Sequence, residues 1–240
     1  MHIITRKSPR EHILETAGKL FAERGYEAVS VREICRRARV NISAVNYYFR
    51  DKQNLYLEAV RTAARQRSHA VPLVTWSERD PPATKLCHFI HNMLLRVVLD
   101  RTPDWHAQLI VSEIVRPTRV CRRFVREFIR PNFELLLEIL RELVGRRCSS
   151  QQLHRLAFSI VGQCMYYRMC RSVIRSLLGK ASRPLLDIKT LARHITEFSL
   201  AGISKTVPST RRQPLAMPAL LPRRSNYALD SVPDANRRPR

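Results

Sequence analysis

The chain has 240 residues, of which 45% are hydrophobic and only 6 are Gly, and 43 Lys plus Arg face 20 Asp plus Glu for a formal charge of +23. That length suffices for one large folded unit or two smaller ones. The scarcity of Gly favours helices, and the charge predicts a polyanionic partner: DNA, RNA or an acidic membrane surface. No apolar run reaches the ~18 residues that would predict a transmembrane helix, and the N-terminal MHIITRKSPREH lacks the apolar segment of a secretory signal. The six cysteines (35, 87, 121, 148, 164 and 170) form no CxxC pair. They are expected to be free thiols, mostly buried, in a cytoplasmic protein.

Ser8-Pro9-Arg10-Glu11 predicts the first helix start: an N-cap, Pro at the first helical position and Glu closing a capping box. Ile13, Leu14, Ala17, Leu20 and Phe21 follow at helical spacing, and Gly25 suits a left-handed C-cap. Ser30-Val31-Arg32-Glu33 predicts a second capping box, with Ile34 and Ala38 facing inward and Cys35 a core thiol. Asn41 caps a short third helix, about Ile42 to Phe49, and Asp51 caps a fourth that runs toward His69. Residues 71–82 carry three prolines and read as a connector.

Helical patterning then resumes. Leu86, Ile90, Met93, Leu94, Val97 and Val98 make one face. Trp105 to Val115 is a helix halted by Pro117. Residues 120–144 predict a long helix bent near Pro131. Ser149 and Gln152 cap a helix running to about Leu178, and Leu186 to about Leu200 is the last. Residues 204–240 are rich in proline and paired arginines, with little apolar periodicity. They read as a disordered basic tail that either adds weak phosphate attraction or is simply solvated.

On the third helix, a wheel at 100° per residue turns Val45, Tyr48 and Phe49 inward, with Phe49 and Tyr48 core or core-edge, and Ser43, Tyr47 and Arg50 outward, with Ala44 and Asn46 flanking the outer face. A face of Ser, Ala, Asn, Tyr and Arg is a poor core and a good set of hydrogen-bonding groups. With the preceding helix it makes a helix-turn-helix, whose second helix lies in the major groove. There Asn46 suits adenine, and Ser43 and Ala44 allow close approach to the bases. The Tyr47 hydroxyl, Lys52, Arg32, Arg36 and Arg37 suit phosphates. The DNA-contacting set is thus Arg32, Asn41, Ser43, Ala44, Asn46, Tyr47, Arg50 and Lys52.

The stretch ETAGKLFAERGYEAVSVREICRRARVNISAVNYYFRDKQNLYLEAV, residues 15–60, resembles the TetR family of bacterial transcription regulators. Phe21, Gly25, Val31, Arg32, Ile34, Ala38, Val40, Tyr47, Phe49, Lys52 and Leu55 carry the match. NISAVNYYFRDKQNLY, with EIVRPTRVCRRFVREFIRPNFELLLEIL and LAFSIVGQCMYYRMCRSVIRSLLG, is most similar to the CecR (YbiH-type) subgroup. The resemblance implies an all-α fold: an N-terminal three-helix helix-turn-helix unit in residues 1–70, joined to a larger helical bundle in 83–203. It places residues 41–48 in the groove, with Tyr47 and Lys52 on the DNA backbone. One position departs from the family pattern: the turn before Val40 usually holds Gly and here holds Arg39, which could reach a phosphate.

The same resemblance implies a homodimeric, cytoplasmic, nucleoid-associated regulator that binds palindromic operator DNA. A small hydrophobic effector would release it, repression being the family's usual mode and activation a possible one. Met93, Phe124, Phe128, Phe133, Met165 and Tyr166 are candidates to line the effector cavity, or are simply core. Leu156, Ile160, Met165, Leu191, Ile195 and Phe198 fit a dimer interface or an internal core equally. A competing reading is a non-specific nucleic-acid binder driven by charge. No Gly-rich phosphate loop, nucleophile elbow or HExxH motif suggests an enzyme. Cys87 and His91 stand four apart on one helix, but no second cluster completes a metal site. No cofactor and no membrane partner is expected.

Overall fold

A computed structural model describes residues 8–69, 75–98, 103–145 and 148–206. Every regular element among them is helical. Four helices form the N-terminal head: α1 (Pro9–Ala28), α2 (Val31–Ala38), α3 (Ile42–Phe49) and α4 (Lys52–His69). The body follows with α5 (Pro82–Val98), α6 (Asp104–Val115), α7 (Cys121–Phe124), a π-helical turn (Val125–Ile129) and α8 (Arg130–Val144). It ends with α9 (Ser150–Met169), α10 (Arg171–Leu178), a 3-10 turn (Gly179–Ala181), α11 (Ser182–Leu185) and α12 (Ile188–Thr206). The predicted tail lies almost wholly outside the described residues, as does part of the connector.

Local chemistry explains most of the boundaries. The Ser8 hydroxyl accepts from the Glu11 amide at 3.2 Å, and the Glu11 carboxylate accepts from the Ser8 amide at 2.9 Å. The Ser149–Gln152 box closes in the same way. The box expected at Ser30 is only half formed. Ser30 Oγ accepts from the Glu33 amide at 3.2 Å, but the Glu33 carboxylate turns to Arg24 instead of the cap backbone. An ion pair with a nearby guanidinium wins over a neutral amide donor.

Gly25 interrupts α1 at φ 81°, ψ 165°, a region open essentially to glycine alone. It is not the left-handed cap the sequence suggested, and one more turn follows before Val29. Two other expectations need correction. The helix predicted from Ser150 to Leu178 breaks at Cys170, whose φ and ψ are −98° and 14°, and nothing in the sequence explains the break. The bend expected near Pro131 is a π-helical turn ending at Ile129. Pro131 offers no amide, so the ladder widens in the turn before it.

Two apolar clusters form. The first joins Ile13, Phe21, Ile34, Val45, Phe49, Leu55 and Tyr56 of the head to Trp105 and Leu109 of α6 and Phe124 of α7. The second lies within the body and joins Leu86, Ile90, Leu136, Leu140, Ile160, Leu191 and Ile195. A division of the chain at the connector therefore does not divide the packing, because α6 and α7 complete the head's core. The seam is tight: a Cβ built at Gly18 would lie 2.3–2.8 Å from the Trp105 ring.

All six cysteines are free; Cys35, Cys87 and Cys164 are buried, and Cys121, Cys148 and Cys170 are half-buried.

Candidate nucleic-acid interface

Helices α2 and α3 are joined by three residues, Arg39 to Asn41, that reverse the chain. Arg39 sits at φ 53°, ψ 45°, the left-handed region. Its amide donates to the Arg36 carbonyl at 3.3 Å, and the Val40 amide donates to the Cys35 carbonyl at 3.0 Å. These two bonds make a Schellman closure. Gly would occupy it freely, whereas a side chain there costs about 1 kcal/mol. The turn keeps the geometry a glycine would give and bears that strain.

Asn41 then caps α3, its Oδ1 accepting from the Ser43 amide at 3.1 Å. Val45 and Phe49 are buried and hold α3 on the head. Ser43, Asn46 and Arg50 are exposed, and Tyr47 is 83% exposed. Ala44 is half-buried against the core, so it flanks the outer face without standing proud of it. Tyr48, expected in the core or at its edge, is an edge residue at 36% exposure. Its ring meets Tyr47 edge-on at 5.0 Å and Phe49 at 6.3 Å. Three adjacent aromatics cannot all enter one small core, and the middle one braces the outward ring.

The basic groups separate into two kinds. Arg32, Arg36 and Arg37 on α2 are exposed. Lys52, expected at phosphates, is half-buried and already engaged. Its Nζ lies 4.3 Å from the Tyr26 ring centroid and 3.5 Å from the Glu27 carbonyl. Arg10 lies 5.2 Å from the Phe49 ring centroid, with Glu58 at 3.3 Å.

Beneath this face runs a connection to the body that sequence reasoning missed. Tyr56 of α4 is buried among Phe21 and Tyr26, with ring centroids at 5.0 and 4.9 Å. Its hydroxyl donates to Glu113 of α6 at 2.7 Å. Glu113 is fully buried and also accepts from the Thr118 amide and hydroxyl at 3.1 Å. Burial, then the bond to Glu113, pushes the Tyr56 hydroxyl far above its usual range. Further along α4, Arg61 holds Glu127 of the π-helical turn with two donors, one of them Nε at 2.8 Å. That bond keeps the Glu127 carboxyl below its ordinary range. Arg67 Nη2 donates to the Arg96 carbonyl of α5 at 2.7 Å. The only sequence signal for Glu113 is a lone carboxylate one helical turn beyond the core residue Leu109.

The six candidate effector residues do not converge. Phe124 and Phe128, 5.9 Å apart, belong with the head's cluster. Met93 and Phe133 pack on the body's cluster. Met165 is half-buried and Tyr166 is 53% exposed. Of the candidates for an interface or core, Ile160, Leu191 and Ile195 are core, Leu156 and Met165 are half-buried, and Phe198 is 64% exposed. Phe158 on α9 is equally open at 63% and stacks on Phe133 at 5.0 Å.

Cys87 and His91 do lie together on α5, but no group of three or more metal-binding side chains occurs among the described residues. Burial pushes His91 down to about 4 and raises Cys87. No helix among the described residues is long and apolar enough to cross a membrane.

Comparison with known proteins bears on both parts. Residues 13–59 match the family model for bacterial regulatory proteins of the tetR family. Residues 82–203, half of the chain, match the C-terminal domain of the HTH-type transcriptional dual regulator CecR. Over 48 residues the chain is 42% identical to YttP of Bacillus subtilis, covering 20% of this chain and 23% of that protein. Over 62 residues it is 37% identical to the HTH-type transcriptional repressor AcnR of Corynebacterium diphtheriae, covering 26% and 33%. The matches thus take in a third or less of these relatives' length. Among solved structures, the hemolysin II transcriptional regulator HlyIIR aligns over 78% of this chain and 97% of its own, at 23% identity and a TM-score of 0.53. That likeness speaks to the fold alone.

Proposed function

The chain belongs to the TetR family of bacterial transcriptional regulators, with a CecR-type body, and from that premise we propose that it is a homodimeric, effector-responsive repressor of operator DNA. It would work in the cytoplasm at the nucleoid. The head, residues 1–70, would bind DNA, and the body, 83–203, would bind effector and dimerise. The observation that carries the reading is α3: anchored by Val45 and Phe49, it offers Ser43, Asn46 and Tyr47 to solvent, with Arg50 exposed just past its end.

In this reading α3 enters the major groove. Asn46 reads a base edge, with Ser43 and Ala44 allowing the approach. Tyr47, Arg50, Arg32 and Lys52 position the head on phosphates, and Asn41 orients the helix start. Lys52 has first to exchange its contact with Tyr26 for a phosphate. Phe158 and Phe198, exposed on α9 and α12, supply the apolar face that a second copy covers. The effector is a small hydrophobic molecule held in the body, with Met93 and Phe133 the best placed of the six candidates.

Signal transfer needs a differential preference of the effector for one of two head positions. The buried Tyr56–Glu113 bond and the Arg61–Glu127 pair tie α4 to α6 and to the π-helical turn. A shift of those elements on effector binding would change the spacing of the two recognition helices. The fit to successive major grooves about 34 Å apart would then fail.

Selection of duplexes from a random pool tests the reading. The expected winners are palindromes with half-sites about one helical turn apart, bound roughly 10³-fold more tightly than random duplex at moderate salt. Equal affinity for all duplexes would instead make the protein a charge-driven, non-specific binder.

A further inference from the structure

Among the described residues only two non-glycines have positive φ, and both are arginines bracketing α3. Arg39 is left-handed at its start. Arg50, at φ 68°, ψ −53°, follows its end. The Asp51 amide donates to the Phe49 carbonyl at 2.9 Å, so Arg50 is the centre of a γ-turn of the rare, strained hand. Asp51 then caps α4, accepting from the Asn54 amide at 2.7 Å. The γ-turn is what lets one residue end α3 and the next begin capping α4.

Both arginines are exposed, and no hydrogen bond or carboxylate holds either guanidinium among the described residues. Arg10, Arg24 and Arg61 of the same head all have carboxylate partners. Glycine would fill either backbone position without strain, so what arginine adds there is its side chain. Eight residues of α3 span about 12 Å, and a major groove is about 12 Å wide.

We infer that Arg39 and Arg50 are a pair of positioning residues, one at each end of α3, that fix the recognition helix by gripping phosphates on the two walls of the groove. The inference rests on the DNA-binding reading above. Backbone strain at two points holds the side chains where Gly would leave nothing. The grip is blind to sequence. It sets register and depth, and leaves discrimination to the groove-facing residues between.

Substitution at the two sites separates strain from contact. Arg39→Gly and Arg50→Gly relieve the backbone, so each variant should melt no lower than the parent chain. Each should nevertheless bind both a selected operator and a random 30-base-pair duplex roughly tenfold more weakly. Each should also make the slope of log affinity against log salt shallower by about 0.9. Arg39→Lys and Arg50→Lys keep the charge and should restore most of the affinity. A parent chain that binds duplex, with Gly variants equal to it in affinity and slope, overturns the inference alone. A parent chain that binds no duplex at any salt removes the DNA-binding reading and this inference together.

Discussion

The head and the body finish their surfaces in opposite ways. The head closes its apolar core around Phe21, Val45 and Tyr56 and leaves polar and basic groups outside: Arg32, Ser43, Asn46 and Tyr47. The body closes a core of similar make-up and still leaves Phe158, Phe198 and Leu177 more than 60% exposed. An unfinished polar, cationic face attracts a polyanion at long range and loses that attraction in salt. An unfinished apolar face gains only from close, dry contact. One chain thus presents two unlike surfaces at separate places, and the difference can be tested by damaging each alone.

The largest effect is expected on the apolar side. Phe158→Asp with Phe198→Asp should raise the dimer dissociation constant by two orders of magnitude or more, since buried aromatic anchors of an interface each contribute ~2 kcal/mol or more. Sedimentation would show monomer at concentrations where the parent chain is dimeric. An unchanged oligomeric state would move the interface away from α9 and α12.

The seam between the two regions comes next. Gly18→Ala drives a methyl into the Trp105 ring and should cost about 1–3 kcal/mol, read as a lower melting temperature. Gly162→Ala, where nothing lies within 4 Å of the added atom, should cost nothing or stabilise slightly. Equal melting of the two variants would show that the seam is looser than the Trp105 contact implies.

Acid should weaken seam and body together. Burial pushes His106, in the seam, and His91, in the body, down to about 4. A histidine with a depressed folded value binds its proton more readily when unfolded. Stability is therefore full above the unfolded value near 6.5 and falls as pH drops toward 4. The slope is up to about 1.4 kcal/mol per pH unit for each group. His91→Phe and His106→Phe should each flatten the melting-temperature profile in that window, and an unaltered profile would assign the acid sensitivity elsewhere.

The smallest effects belong to the polar face. Tyr47→Phe should weaken binding several-fold for every operator alike, as loss of a phosphate contact does. Asn46→Ala should relax preference at one or two base pairs. A change of preference in the first, or none in the second, would exchange their roles.

How much of this was written locally differs between the same two regions. In the head, Ser8, Ser30, Asn41 and Asp51 each cap a helix through their own side chain. Caps act within three residues, so sequence reveals them. The missing glycine at Arg39 was equally visible, because a left-handed turn is a local demand. The wheel leaves Tyr48 between core and core-edge, because its exposure depends on how much room Val45 and Phe49 leave. Glu113 shows in the sequence only as a lone carboxylate: its partners Tyr56 and Thr118 lie 57 residues before it and 5 after, and only tertiary packing brings α4 to α6. In the body, α9 breaks at Cys170 with no Gly or Pro to mark it. The scatter of the six effector candidates has the same origin, since an apolar residue on a helix does not state which of two cores it joins.

The π-helical turn at Val125–Ile129 settles that question for one rod of the structure. Upstream of it, Phe124 belongs to the head's cluster; downstream, Leu136 and Leu140 belong to the body's. The widened turn acts as a phase shifter, resetting the direction in which the apolar stripe points between one end and the other. A rod keyed at both ends to different partners cannot spin about its own axis without unseating one of them. Any torque applied along α8 is then either absorbed in those five residues or passed, through Glu127 and its guanidinium partner, to the helix that carries the head.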